Sequence, residues 1–558
     1  MTTHQSLALG FFIAIGLVVG VCGEHFEVTS AQQLIKLLNI SEANHFDANI
    51  VLLDDLDFSD SPLTLPFGVS SDGSCMSYTG VFEGNGHTIK GLIMDNKDKQ
   101  EYNKAGLFCG LEGAVFENLV IDSSCSFGGI SVGALSASLT GSLTATNVTN
   151  KAAVSGNSGV GGFVGIIESI KQRLDVTFKE CVNDGKITGQ GSIGGFVGMI
   201  YGNKYITVII SNLTNNGNIT EGSFMGGFVG YIEGNRDIAM SISNCTNNGI
   251  ITVNQCAGGL IGFFSDNRGL AVNISNIVNN GLITGESGMG GFFGCMIFTS
   301  NTNMSVFNST NNGNITGSKY VGGFAASIET TSSANFVFFD MVNCANKGNV
   351  SAENEYAGGL FLVPQNNLNN IDINLFNSIN KGSVSAKLCV YGITNIITKA
   401  RNVVSMGEVN ASFNTFTFWE SSTDVDLFFG LDGKCAKCPN EVTLFAPNTN
   451  TGFYEVFESG ERVHDLLNAE VEKQNYGMFW TEELELVDYY VEPSPSPSPS
   501  MVPSSSLLSP PPPSFSSAPS FLSQSSQSGG LSGGNKHGVS LFLISVVVAL
   551  AAHVQMAQ

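Results

Sequence analysis

Apolar positions in the middle of the chain come in short runs broken by glycine and asparagine, and none carries the 3.6-residue period of a helix. The stretch from Asn215 to Thr246, NNGNITEGSFMGGFVGYIEGNRDIAMSISNCT, holds three such pieces. One is short, Ile219-Thr220, and recurs as Ile315-Thr316. The second is the GGFVGYI type. The third alternates, as at Ile238, Met240 and Ile242, at Val208 and Ile210, and at Val272 and Ile274. Alternation of this kind gives a strand one apolar face. Asn-Asn-Gly, Gly-Gly and Gly-Asn separate the pieces as turns. No proline occurs between Pro66 and Pro364, which suits strands that pair on both edges.

The pattern repeats. Its marker glycine falls at Gly185, Gly217, Gly249, Gly281 and Gly313, in steps of 32 residues. The glycine pair begins at Gly161, Gly194, Gly226, Gly258, Gly290 and Gly322, in steps of 33 and then 32. A single unit cannot bury its apolar face, so neighbours must stack. A β-propeller is the alternative, but the period is too short for a four-stranded blade and the Trp-Asp signature is missing. The fold expected is therefore all-β: a parallel β-solenoid of about 32-residue coils. Eight or so coils at about 4.8 Å give a rod of roughly 40 Å. Stacking turns equivalent residues into ladders. Asn216, Asn248, Asn280 and Asn312 form one at a turn, where asparagine tolerates the left-handed conformation and can bond its copies above and below.

The two ends read differently. Residues 1–23 carry an apolar run from Leu7 that ends in small residues, the form of a secretory signal peptide cut near Gly23; a transmembrane anchor is the alternative. Residues 24–105 form an N-terminal cap and the first coils, with Thr29 or Ser30 capping a helix through Leu38. Repeats fill 106–425. A C-terminal cap occupies 426–492, with one helix around Val463 to Lys473 and then a strand; solenoids need caps because an open end exposes unpaired strand edges. Residues 493–527 are a Pro/Ser tract, which cannot form a packed core and reads as a disordered, extended stalk. Small residues at Ser528-Gly529-Gly530, a polar spacer and an apolar tail of about 14 residues complete 528–558. That order is a glycosylphosphatidylinositol signal with attachment at Ser528. Ser532 leaves too short a spacer, and an ordinary tail anchor is the alternative.

The segments LLDDLDF, FEGNGHTIKGL, AGLFCGL with VFENLVI, and each VGGFVG copy resemble proteins carrying GLUG-type repeats, over roughly Ile50 to Gly359. The resemblance implies a right-handed parallel β-solenoid exposed on a cell surface, as in adhesins and the non-catalytic regions of surface proteases. It supplies no catalytic residues and no ligand. The family's Gly-Leu-X-Gly stands here as Gly-Phe-Val-Gly, and the last copies decay to GGFAAS and GGLFLV.

Composition narrows the partners. Asp and Glu outnumber Lys and Arg 47 to 24, giving a net charge of −23, and no basic run tracks phosphates, so nucleic acid is excluded as a partner. An extracellular protein or glycan ligand is expected, together with a membrane reached through the lipid anchor. Sequons at Asn39, Asn147, Asn212, Asn218, Asn244, Asn273, Asn303, Asn308, Asn314, Asn349 and Asn410 are glycosylation candidates. Asn212, Asn244 and Asn308 share one offset in the repeat; Asn218, Asn314 and Asn349 share another. Of 12 cysteines, Cys181, Cys245 and Cys344 occupy one offset too many coils apart to pair, and read as small core residues. Cys435 and Cys438 read as a local disulfide, with half a metal site or a redox pair as alternatives.

No convergent chemistry emerges. Asp54, Asp55 and Asp57 are the densest acidic cluster of the ordered part, but no oxygen-rich calcium loop surrounds them, and Asp57 can instead cap a turn. Asp184, Glu221, Asp237, Asp266 and Glu286 share no offset. His87 and His464 read as structural. The Gly-Asn-Gly-His turn is no phosphate loop, since no Lys-Ser/Thr follows. The expectation is a non-enzymatic protein without cofactor or metal, used for adhesion, recognition or surface-coat display. A glycan-degrading enzyme on the same scaffold is the alternative, because β-solenoids also carry carbohydrate-cleaving carboxylate clusters.

Overall fold

The computed structural model describes residues 23–430, apart from 40–44, 71–72, 98–102, 169–172, 299–301, 331–336, 364–370, 395–398, 406–408, 412–413 and 417–423, together with 454–457, 478–480 and 486–488. One coil shows how the pattern folds. The alternating piece is a strand, Arg236–Asn247, whose odd and even residues are exposed and buried in turn over its first half. The Asn-Asn-Gly corner leads into Ile251–Gly258. The glycine pair turns the chain again into Ile261–Ser265, and a third corner returns it to Arg268–Asn279, directly above the first strand. Each coil thus contributes to three faces.

All strands of the faces run parallel, and the register is the sequence period. Ile238 pairs with Leu270, Met240 with Val272 and Ile242 with Ile274. Among the described residues the first face holds 22 strands, the second 20 and the third nine. The molecule is a parallel β-solenoid of about ten turns, at about 32 residues per coil. That exceeds the eight or so read from the glycine markers. The first-face strands His25–Val28, Asn49–Leu52 and Val81–Glu83 already stack on one another before the markers begin. At the far end Tyr454–Phe457 pairs in parallel with Asp424–Gly430, so rungs continue past the repeats. An antiparallel pair, Met478–Trp480 with Leu486–Asp488, follows.

Inward residues make one continuous core. Phe163, Phe196 and Phe228 stack along it with ring centroids 4.8 and 5.5 Å apart. The second glycine of the pair is dictated by contact between rungs. A Cβ on Gly227 would sit 2.1 Å from the Gly259 carbonyl oxygen of the next coil, closer than any side chain allows. The single helix among the described residues, Ala31–Leu37, is capped by Ser30, whose hydroxyl accepts the Gln33 N–H. It buries Ala31 and Leu34 in the same core at the N-terminal end. It stops one residue before the expected Leu38, which serves as its C-cap.

Cys181, Cys245 and Cys344 are buried and unpaired, as their offset required. Two disulfides went unseen in the sequence, Cys75–Cys109 and Cys256–Cys295. The second ties the end of a second-face strand to the third face one coil further on. Residues 1–22 of the expected signal peptide, the Cys435–Cys438 pair, the helix near His464, the stalk and Ser528 all lie outside the described residues.

Candidate functional site

The outward positions of the coils, and what fixes them, define what this molecule can offer a partner. The first fixing element is an asparagine ladder that the sequence reading missed. It runs through the first residue of each corner, which is the first asparagine of Asn-Asn-Gly at Asn215, Asn247, Asn279 and Asn311, and not through the second. Asn150, Asn183, Asn215, Asn247, Asn279, Asn311, Asn346 and Asn380 are all fully enclosed. Asn215 Nδ2 donates to Asn247 Oδ1 at 2.7 Å, Asn247 to Asn279 at 2.7 Å and Asn279 to Asn311 at 2.7 Å. The second hydrogen of each amide goes to a carbonyl two residues on, as from Asn247 to Gly249 at 3.2 Å. Both hydrogens are used and the oxygen accepts, which is the condition for burying an amide without penalty. A shorter ladder, Asn203 to Asn235 to Asn267, does the same at the third corner.

The expected ladder also exists, outside. Asn248 donates to Asn216, Asn280 to Asn248 and Asn312 to Asn280 at 2.8–2.9 Å, all exposed. These residues are not left-handed. The positive φ falls elsewhere, at a kink in the first face occupied by Asn118, Asn147, Glu180, Asn212, Asn244, Asn276, Asn308, Asn343 and Asn377, with φ between 48 and 56°. Asparagine tolerates that conformation because its short polar side chain can bond locally.

Sequon asparagines stand on the outside. Asn147, Asn212, Asn244, Asn273, Asn303, Asn218, Asn314 and Asn349 are exposed, and Asn308, Asn39 and Asn410 half-buried. The structure brings Asn212, Asn244 and Asn308 into the kink column and Asn218, Asn314 and Asn349 into the first corner.

The acidic cluster near the start is engaged by its neighbours. Asp55 accepts from Lys90 Nζ at 2.6 Å and from the Thr88 N–H at 3.0 Å, with His87 Nδ1 3.5 Å away. The Lys90 ammonium holds its carboxyl below the usual range. Asp57 takes the Ser59 N–H at 2.9 Å, the turn-capping role expected of it. His87 thereby lies against the surface Asp55–Lys90 pair. Among the described residues no group of three or more His, Cys, Asp or Glu side chains is placed to hold a metal ion.

A groove of about 810 Å³ opens on the second face, lined by Asn254, Gln255, Glu286, Lys319, Tyr320 and Glu353 among others. Tyr320 has φ +47°, at the rung position that Gly288, φ +78°, fills below it. Its ring stacks on Tyr356 at 5.7 Å, and Lys319 Nζ pairs with Glu355 at 3.0 Å. A left-handed tyrosine stores about 1–3 kcal/mol of strain. The third face carries Tyr231 stacked on Phe263 at 5.0 Å, with Phe224 of the second face beside both. Among the described residues no helix is long and apolar enough to cross a membrane.

Comparison with known proteins adds little beyond the fold. No family model matches the chain. It is 37% identical to halomucin of Haloquadratum walsbyi over 93 residues, which is 16% of this chain and 1% of that protein. The chain therefore spans about a hundredth of the length of that relative. A crystal structure of a candidate immunoglobulin A1 protease from Bacteroides ovatus aligns over 84% of this chain and 93% of its own, at 13% identity and a TM-score of 0.20. A score that low carries no argument. The chain is a parallel β-solenoid of stacked coils.

Proposed function

We propose that this chain is a GLUG-type surface protein: an N-glycosylated solenoid held out from a cell by a Pro/Ser stalk and a glycosylphosphatidylinositol anchor on the outer leaflet, where it serves adhesion, recognition or coat display. The observation that carries the reading is the regularity of the rod. Rung after rung repeats the same outward columns, and its buried amides join coil to coil, so the fold supplies a stiff, repetitive surface. The ends supply the rest: an apolar leader, a Pro/Ser tract and a small-residue site before an apolar tail. The halomucin likeness adds no activity, since it covers so little of that protein. Treating intact cells with a phosphatidylinositol-specific phospholipase tests the reading. Release of the chain into the medium is expected; full retention after lipase contradicts the anchor.

The second-face groove favours one further reading, a glycan-degrading enzyme. Glu286 and Glu353 line it beside a strained tyrosine, and two carboxylates are what glycoside hydrolysis requires. Turnover of a glycan panel that disappears in both Glu286→Gln and Glu353→Gln supports this reading. Binding without turnover supports the first.

A further inference from the structure

The asparagines of this rod divide according to what their side-chain nitrogen does. In the buried ladder every Nδ2 donates to the next rung or to a carbonyl, as at Asn183, Asn311 and Asn380. The third-corner ladder and the exposed corner ladder donate likewise. None of these residues heads an Asn-X-Ser/Thr triplet. The kink column repeats the division within itself. Asn118, Asn276, Asn343 and Asn377 donate, to Glu83, Asn244, Asn308 and Asn343, and none heads a triplet. Asn212, Asn244 and Asn308 do head triplets, and among the described residues their nitrogens donate to nothing. Asn244 and Asn308 use only Oδ1, accepting from Asn276 and Asn343. At the first corner Asn218, Asn314 and Asn349 likewise accept through Oδ1, from the N–H groups of Ile250, Asn349 and Ser383, and leave Nδ2 in solvent.

We propose that Asn212, Asn244 and Asn308 in the kink column, and Asn218, Asn314 and Asn349 at the first corner, are N-glycan acceptors of the rod, and that Asn147 is spared. The proposal rests on the secretory part of the surface reading. The reaction joins Nδ2 to the anomeric carbon of a polyprenyl-pyrophosphate-linked oligosaccharide. The N–C bond forms as the carbon–oxygen bond to pyrophosphate breaks; the amide gives up one proton and the lipid pyrophosphate leaves. Transfer meets the chain before it folds, so a sugar on a nitrogen that the rod uses hinders folding, and the folded, exported chain is depleted of it. Oδ1 is untouched, so the bonds it accepts survive. Asn147 is the exception among the triplets. Its nitrogen donates to Asn118 Oδ1 at 2.7 Å, and Asn118 passes its own nitrogen to the buried carboxylate of Glu83 at 3.1 Å. A sugar there crowds the nitrogen that holds Asn118, and Asn118 in turn holds the buried Glu83 side chain.

The consequence is a one-sided coat. Neighbouring rungs lie about 4.8 Å apart, so the sugars on Asn212 and Asn244, and those on Asn314 and Asn349, must lie one over the other. The third-face strands, such as Val229–Glu233 and Ile261–Ser265, carry no asparagine. That side, with Tyr231 and Phe263, stays bare and is the one left for a partner.

The test uses the full chain made in a eukaryotic host. Glycans are released by an amidase in water enriched in the heavy oxygen isotope, which converts each occupied asparagine to labelled aspartate for mass spectrometry. In the exported chain label is expected at these six, and about tenfold less at Asn147, the ratio set by one amide–amide hydrogen bond. Unlabelled acceptors, or equal label at Asn147, overturn the proposal. Proteolytic shaving of intact cells separates the two readings. A chain that is shaved but unlabelled sinks the acceptor assignment alone; one labelled but not shaved sinks surface display alone.

Discussion

Asn247 donates to Asn279 and to the Gly249 carbonyl and accepts from Asn215, all out of reach of water. Removing the amide in Asn247→Ala leaves three groups short of a partner, each costing about 1–3 kcal/mol when buried. A loss of at least about 3 kcal/mol is expected, read as a lower urea midpoint. Asn248→Ala, one residue on and exposed, should cost under about 1 kcal/mol. Only one of these two ladders was legible beforehand. The two asparagines of each corner look alike in sequence, and which is enclosed follows from the strand parity leading into the corner. Thr246 continues the outward set and Asn247 the inward one. The left-handed conformation expected at Asn216 belongs instead to the Asn212 column, because the backbone kinks within the strand and not at the corner.

The core thiols make a second residue-scale prediction. Burial pushes Cys181 up to about 11 and Cys245 and Cys344 up to about 12, from an ordinary value of 9.0. A raised folded value means the fold favours the protonated thiol. That contribution is whole below pH 9 and is lost as pH climbs through 11 to 12. The native protein should therefore resist iodoacetamide at pH 8, and its stability should fall across the alkaline window, less so in a Cys245→Ala, Cys344→Ala variant. Labelling of Cys245 in the native state at pH 8 would contradict its placement.

At the scale of the strand, the first-face kink is a designed bend with one ill-suited occupant. Glu180 sits at φ +56° among asparagines, with only an exposed pairing to Lys179 at 3.3 Å, which is worth little. Glu180→Asn should stabilise the protein by about 0.5–1 kcal/mol, measured by the same urea titration; a destabilised variant would show that the column does not select for asparagine. Strand elements were readable because alternation is local. The disulfides were not. Cys256 and Cys295 lie on different faces of successive coils, 39 residues apart, so their spacing matches no multiple of the period. Ser30 was readable as a helix cap because capping depends on a few neighbouring residues alone.

At the scale of the whole molecule, stability is a sum of rungs and the contacts between them. The period announced this; the number of rungs it left short. Strands such as His25–Val28 and Tyr454–Phe457 join the stack without carrying the marker glycines, since a rung needs only the inward pattern and the parallel backbone edge. The groove around Tyr320 was invisible in the sequence for a related reason. It gathers residues from Asn254 to Glu353, and its lining depends on rungs meeting in register.

Register is therefore what the account stands on, and it is directly measurable. Thr252, Thr284 and Thr316 stand one above another on the second face, with the first two hydroxyls 3.3 Å apart. Cysteines at Thr252 and Thr284 should be bridged by a bifunctional bimane, which fluoresces when it links two thiols in near contact. Cysteines at Thr252 and Thr316, two rungs and about 9.6 Å apart, should not. Equal bridging of both pairs, or bridging of neither, would show that consecutive coils do not lie over one another as described.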